Sequence, residues 1–150
     1  MDSGATEHLT PYSTDFVTYT AFSRSDTQQQ VTLGDGKTRL RVLGQGTVER
    51  WVGTPESSYH LLLLSNVLHV QGIKRRFLSL STFDDKGFEL HMKSKSFTLS
   101  KGQLALTGHR VGKLYIAPMW AKRPLHSAVQ LSTTVAPLPA KVWHERMCHN

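Results

Sequence analysis

The sequence predicts an all-β domain, a small β-barrel that is closed or partly open. Two observations favour this class. Short runs of β-favouring residues alternate with glycine-containing turns from residue 31 to residue 116, and only one short segment ends like a helix. Eight or so short strands at such close spacing are typical of small barrels and sandwiches. The length of 150 residues fits one ordinary soluble domain.

The first strands are predicted around a glycine turn. Residues 15–22 carry aromatic and β-branched side chains and predict one strand in a start that is rich in Ser and Thr. Asp35-Gly36 separates residues 31–33 from residues 39–43. This arrangement predicts a hairpin, because both central residues of such a tight turn need a positive φ.

A second glycine pair precedes the most apolar part of the chain. Gly44-Gln45-Gly46 predicts a bulge or a hairpin before the alternating strand at 47–52. Residues 59–64 are apolar at nearly every position and predict a strand that is buried on both faces.

The second half of the barrel is predicted as more short strands after one helix. The acidic pair, Lys86 and Gly87 at the end of residues 76–87 indicate the last turn of a short helix. Further strands are predicted at 67–70, 88–92, 97–99, 103–106 and 114–116.

The composition after residue 117 divides the chain. We expect a barrel at 1–117 that lacks its amino-terminal strand, a linker at 118–140 that holds four of the six prolines, and a helix start at 141–150. We therefore expect one barrel domain followed by a linker and the first turn of another module.

Charge is distributed unevenly. The net charge is +7; residues 1–70 hold 5 basic and 7 acidic side chains, whereas residues 71–150 hold 13 and 4. The basic half predicts either a solvated face or contact with nucleic acid.

The longest apolar run has four residues, so we expect no membrane contact. Cys148 is the only cysteine, which favours a reducing intracellular location.

Asp2-Ser3-Gly4 is the most specific short motif. An aspartic peptidase needs a carboxylate that faces a second one across a shared water, a hydroxyl that holds the loop, and a glycine that allows close backbone approach. The motif occurs once, so a complete dyad requires a homodimer in which each copy contributes Asp2. The alternative interpretation is an ordinary turn.

His144 and His149 have the spacing of half a zinc site. The two cysteines of the other half are absent from the chain. We therefore expect no bound cofactor here, and zinc only where the chain continues into a further module.

The basic cluster Lys74-Arg75-Arg76 is interpreted as a solvated turn, and the other histidines as surface or strand residues: His8, His60, His69, His91, His109 and His126.

An ordered set of strings resembles one polyprotein family. In chain order they are Asp2-Ser3-Gly4-Ala5 with His8-Leu9-Thr10, then 31–36, 42–48, 66–73, 77–80, 114–116 and 143–149. Together they resemble the retrovirus-related, TNT-like Pol polyprotein of copia-type LTR retrotransposons, over its aspartic-protease-like barrel and the start of its GAG-pre-integrase segment.

The resemblance implies a retropepsin-like fold and specific residue roles. Asp2 would be the catalytic aspartate with Ser3 and Gly4 as its loop. Gly44 and Gly46 would belong to a flap-like hairpin. His144 and His149 would begin the zinc module of an integrase.

Two functions remain open at this point. The first is an aspartic endopeptidase that cleaves polyprotein segments as a homodimer, in the cytoplasm or in retrotransposon particles and not secreted. The second is an inactive β-barrel with a structural or interaction role, to which weak nucleic-acid binding is added by the basic half.

Overall fold

The chain folds mainly into β-strands in a computed structural model that describes residues 5–25, 29–54, 56, 58–125 and the backbone of 141–145. The strands are β1 Leu9–Thr10, β2 Phe16–Ala21, β3 Gln30–Thr32, β4 Arg39–Thr54, β5 Ser58–Val70, β6 Phe77–Leu78, β7 Glu89–Lys93, β8 Ser96–Lys101, β9 Leu104–Val111, β10 Leu114–Met119 and β11 Lys141–Glu145. A 3-10 turn spans Ser13–Asp15 and helix α1 spans Leu80–Asp85. The predicted all-β class is confirmed.

The strands follow the order β2-β4-β5-β1-β6-β11-β10-β9-β8-β7, and β3 pairs with β4 beside this path. β2 and β7 lie at the two ends, so the sheet is not closed by a continuous ladder. It does curl back on itself, because Trp51 in β4 forms an isolated antiparallel bridge with Trp120 after β10. The two backbone hydrogen bonds of this bridge measure 2.8 and 3.0 Å. The described strands are thus consistent with a β-barrel-like domain in which no sheet is closed, and the retropepsin-like fold stays a prediction.

The hairpin of β4 and β5 is the central element of the fold. Sequence analysis expected separate strands at 39–43 and 47–52, whereas β4 runs through both, so the two glycines between them lie inside a strand. The register between β4 and β5 shifts on either side of these glycines, at Val42/Gly44 and at Gly46/Val48, which confirms the predicted bulge. A Cβ at Gly46 would overlap the Thr18 carbonyl oxygen of β2, so only glycine allows β2 to pair here.

Gly44 and Gly46 belong to the β4–β5 hairpin and pair with Ala21 and Tyr19 of β2 on its other side. The flap-like role that the resemblance implies for them stays a prediction.

The expectation that residues 59–64 are buried on both faces is wrong. Leu62 and Leu64 are 3% and 1% exposed, but Leu61 and Leu63 are 40% and 54% exposed. The strand alternates between core and surface, because the sheet is covered on one face only at this point.

The main core lies between the β4–β5 hairpin, α1 and the β8–β10 strands. Its largest fully buried side chains include Leu64, Leu78, Phe83, Phe97, Leu99 and Met119. A smaller cluster packs at the other end of the hairpin: Leu9, Val42, Leu68, Val70 and Ile73.

The predicted short helix is confirmed as α1. Ser79 caps its first turn, since its hydroxyl oxygen accepts a 3.2 Å hydrogen bond from the Thr82 amide. Gly87 follows its last turn with a φ of 79°.

The carboxyl-terminal helix start is wrong for residues 141–145. These residues form β11, which pairs antiparallel with β10 and parallel with β6. β10 also extends to Met119, two residues beyond the expected end of the barrel. The division of the chain into barrel, linker and second module stays a prediction. In the part of the chain that the structure describes, no helix is long and apolar enough to cross a membrane.

Candidate functional site

The residues singled out by sequence lie mostly outside the described chain. Asp2, Ser3, Gly4 and His149 are not among the described residues. Only the backbone of His144 is described, at a β11 position opposite Ile116 and Phe77. Within the described ranges, no group of His, Cys, Asp or Glu side chains is arranged to hold a metal ion. The catalytic and half-zinc assignments therefore stay predictions.

The most strongly built polar site is centred on Asp15, at the end of the 3-10 turn. Its carboxylate is fully buried and pairs with two arginines. Arg50 donates to Oδ1 at 2.6 Å; Arg76 donates to Oδ2 through Nε at 2.6 Å and to Oδ1 through Nη2 at 3.0 Å. The Thr10 hydroxyl donates to Oδ2 at 2.6 Å. Both carboxylate oxygens are thus occupied by donors.

The electrostatics of Asp15 follow from this coordination. Burial by itself raises the pKa of Asp15, but hydrogen bonds from Arg76 and Thr10 and the charges of Arg50 and Arg76 outweigh burial and lower it. Burial lowers the pKa of Arg50, and the nearby Asp15 carboxylate opposes that shift. Asp15 and the two guanidinium groups that pair with it form one buried charged network.

The network joins three parts of the chain that are distant in sequence. Arg50 points inward from β4, Arg76 precedes β6, and Asp15 precedes β2. The Arg76 guanidinium also stacks on the Tyr12 ring, 4.2 Å from its centroid. The segment from Leu9 to Ala21 is therefore fixed to the hairpin through charge as well as through strand pairing.

His8 forms a second buried polar contact, next to the predicted catalytic triplet in sequence. Its Nδ1 accepts a 3.0 Å hydrogen bond from the Ser79 amide, and its ring packs edge-on against Phe83 at 5.0 Å. Nε2 is buried and has no hydrogen-bond partner among the described residues. Burial, with a smaller contribution from the Lys86 charge, lowers the pKa of His8 to about 4. His8 is therefore neutral at physiological pH.

The backbone around His8 is held just as firmly. The Leu68 amide donates to the His8 carbonyl at 2.9 Å, and the Thr82 hydroxyl donates to the Thr6 carbonyl at 3.2 Å. Residues 6–10 are thus attached both to β5 and to α1, the elements that form the main core.

A comparison with protein families decides which domain these features belong to. The family model of the Pol polyprotein beta-barrel domain matches residues 1–88. The chain belongs to this family. The match extends from the Asp2 triplet through α1 and includes His8, Asp15, Arg50 and Arg76, whereas β7–β11 lie beyond it.

Membership of this family supports the interpretation that the chain comes from a retrotransposon-like or retroviral Pol polyprotein. Searches of curated proteins and of solved structures found no significant match.

Sequence reasoning missed both buried polar contacts of this Pol polyprotein domain. Arg76 was interpreted as part of a solvated turn, but it is only 9% exposed, so that interpretation is wrong for Arg76. His8 was interpreted as a surface or strand residue, yet it is 1% exposed. Each partner lies 35 to 71 residues away, so local spacing carries no signal of the contacts.

Proposed function

We propose that the chain is the aspartic-peptidase-like segment of a Pol polyprotein of the copia type, active as a homodimer in which each copy supplies Asp2. The observation that carries the proposal is the attachment of residues 6–10, directly after the triplet, to β5 and α1 by the hydrogen bonds of His8 and Thr6. Catalytic carboxylates must be held in position by rigid elements, and the segment that follows Asp2 is attached to two of them.

Asp15 is unsuited to this chemistry. A peptidase dyad keeps one carboxyl protonated and one ionised so that the pair acts as acid and base. Asp15 is held ionised by Arg50, Arg76 and Thr10, and both of its oxygens already accept hydrogen bonds. It stabilises the domain and leaves the carboxyl chemistry to Asp2.

The mechanism follows from two carboxyl groups that share one proton. The ionised Asp2 removes a proton from water as the water attacks the peptide carbonyl carbon, and the protonated Asp2 of the other copy donates to the carbonyl oxygen. The Asp2 that took the proton from water then donates it to the amide nitrogen as the C–N bond breaks, and the other Asp2 removes a proton from a hydroxyl of the tetrahedral intermediate as the carboxylic acid product forms. Ser3 and Gly4 hold the loop that carries the acid.

A second candidate function is a non-catalytic barrel that acts as a scaffold within the polyprotein. The completeness of the Asp15 network favours it. Four buried hydrogen bonds to this carboxylate, from Thr10, Arg50 and Arg76, fix the segment that carries Asp15 to the rest of the barrel.

Cleavage of a mixed peptide library, read by mass spectrometry, tests the two candidates. We expect cleavage by the unaltered chain and by Asp35→Asn, whose carboxylate lies in the exposed turn between β3 and β4. The Asp2→Asn variant should lose at least about 100-fold in rate. Size-exclusion chromatography with light scattering should show a dimer. A folded monomer that cleaves nothing would overturn the peptidase proposal and support the scaffold.

A further inference from the structure

The β7–β10 strands carry a concentration of positive charge that the proposed peptidase does not use. Between residues 90 and 125 the chain has seven lysines and arginines and no acidic residue. Four of these cations, Lys93, Lys95, Arg110 and Lys113, are exposed and lie in or beside two turns at the same end of the sheet. We call these four residues the basic end.

The β7–β8 turn places the first two cations. Lys93 pairs with Ser96 across a two-residue turn, in which Ser94 and Lys95 have φ values of 50° and 67°. Turns with two positive φ angles match the twist of the strands that they join. The Lys95 carbonyl oxygen accepts a 2.7 Å hydrogen bond from the Arg110 amide, so this turn is attached to β9.

The β9–β10 turn places the other two cations of the basic end, Arg110 and Lys113. Val111 pairs with Leu114 across Gly112 and Lys113, and Gly112 has a φ of 61°. The Arg110 side chain is fixed over this turn, since its Nε donates to the Gly112 carbonyl oxygen at 2.7 Å. The two turns are therefore adjacent at one end of the sheet, where all four cations are exposed.

The outer face next to the basic end is polar. Ser96 is the register partner of both Lys93 and His109, and Thr98 is the register partner of both His91 and Thr107. Phe97 and Leu99, which alternate with Ser96 and Thr98 along β8, point into the core.

A shallow concavity of about 320 Å³ lies on this face, with Ser96, Thr98, Thr107, His109 and Pro118 among its lining residues. It offers hydroxyl and imidazole groups and no carboxylate.

We propose that the basic end and this outer face of β7–β9 bind the sugar–phosphate backbone of a nucleic acid. Phosphate oxygens accept hydrogen bonds from lysine, arginine and hydroxyl groups, and such contacts carry no sequence information. Phe97 contributes the phenyl ring in the lining of the concavity, but this residue is only 1% exposed. Base stacking on this ring therefore contributes little, and binding is independent of sequence. The site is separate from Asp2 and does not depend on peptidase activity.

Fluorescence anisotropy with two probes, a 20-nucleotide oligouridylate and a 20-base-pair DNA duplex, tests the proposal. With four phosphate contacts, log Kobs should fall against log salt with a slope of roughly 3 to 4. The double charge reversal Lys93→Glu with Lys95→Glu should weaken binding at least about 10-fold at low salt.

The matched control is Lys37→Glu with Arg39→Glu. It changes the net charge equally at exposed positions around the β3–β4 turn, and binding should stay within about twofold. Equal weakening by both pairs, or no binding of either probe at low salt, overturns the proposal.

Binding of oligouridylate alone assigns the face to single strands, and binding of both probes assigns it to any phosphate backbone. Should the double reversal fail to fold by circular dichroism, the single Lys93→Gln variant should lower the salt slope by about 1.

Discussion

The two halves of this domain differ in where their cations lie: one group is buried in the core and the other is exposed on the surface. In the first half, Arg50 and Arg76 are buried and share the carboxylate of Asp15. In the second half, the cations of the basic end are exposed, and the nearest acidic residue along β7, Glu89, lies next to His91 at 3.7 Å instead. Charges of the same sign therefore have opposite environments.

The difference separates stabilising charge from charge that is available to a partner. A buried ion pair is held by its geometry, and removal of one member leaves an uncompensated charge in the core. Exposed lysines are solvated, contribute little to stability and keep their capacity to bind anions. Three predictions test this contrast, and they are ordered from the largest expected effect to the smallest.

The Asp15→Asn variant should have the largest effect. It leaves the Arg50 and Arg76 guanidinium groups buried beside an uncharged amide, and we expect the free energy of unfolding to fall by about 3–5 kcal/mol. Urea denaturation followed by tryptophan fluorescence measures the loss. The exposed Glu89→Gln variant is the control and should stay within about 0.5 kcal/mol. Equal stability of Asp15→Asn and the unaltered chain would show that the network does not hold the fold.

The second-largest effect is expected from pH, through the protonation of His8. The pKa of His8 is lowered by burial to about 4 in the fold, against an ordinary value of 6.5, so the unfolded chain binds more protons between these values. Stability from this group is complete above pH 6.5 and is lost as the pH falls to 4, by up to about 3 kcal/mol.

Urea denaturation of the His8→Gln variant between pH 4 and pH 6.5 checks the assignment. Glutamine keeps an acceptor for the Ser79 amide and does not titrate, so its stability should change less across this range. The His109→Gln variant, at an exposed position, should keep the original profile. A profile unchanged by His8→Gln would assign the dependence to other groups.

The smallest effect is expected at the basic end. Lys93→Gln with Lys95→Gln should change the free energy of unfolding by no more than about 0.5 kcal/mol, because both side chains are exposed. Thermal and urea unfolding measure it. A loss of several kcal/mol would mean that these lysines stabilise the sheet and would remove the contrast between the two groups.

Local pattern was sufficient for most of the secondary structure. Asp35-Gly36 predicted the β3–β4 hairpin, although the turn spans residues 33–38 and of this pair only Gly36 has a positive φ. Asp35 accepts backbone hydrogen bonds from Lys37 and Thr38 at 2.8 Å each. The acidic pair before Gly87 predicted the end of α1. These features depend on neighbouring residues, and neighbours are what a sequence displays directly.

Local pattern failed where a distant strand decides the outcome. Residues 141–145 were expected to start a helix, but they pair with β10 and β6. The apolar run at 59–64 was expected to be buried on both faces, yet nothing in the described chain covers Leu63. Propensity is a weak prior, and pairing with a partner strand overrides it.

The sequence by itself determined the all-β class, the turn positions, the Asp2-Ser3-Gly4 motif and the excess of positive charge in the second half. Only the tertiary structure decided that Arg76 is a buried partner of Asp15 whereas Lys93 is exposed, although each is simply a cation in the sequence. The physical reason is that burial and ion pairing depend on which strands meet. Asp15, Arg50 and Arg76 come together only when β2, β4 and β6 take their places in the sheet.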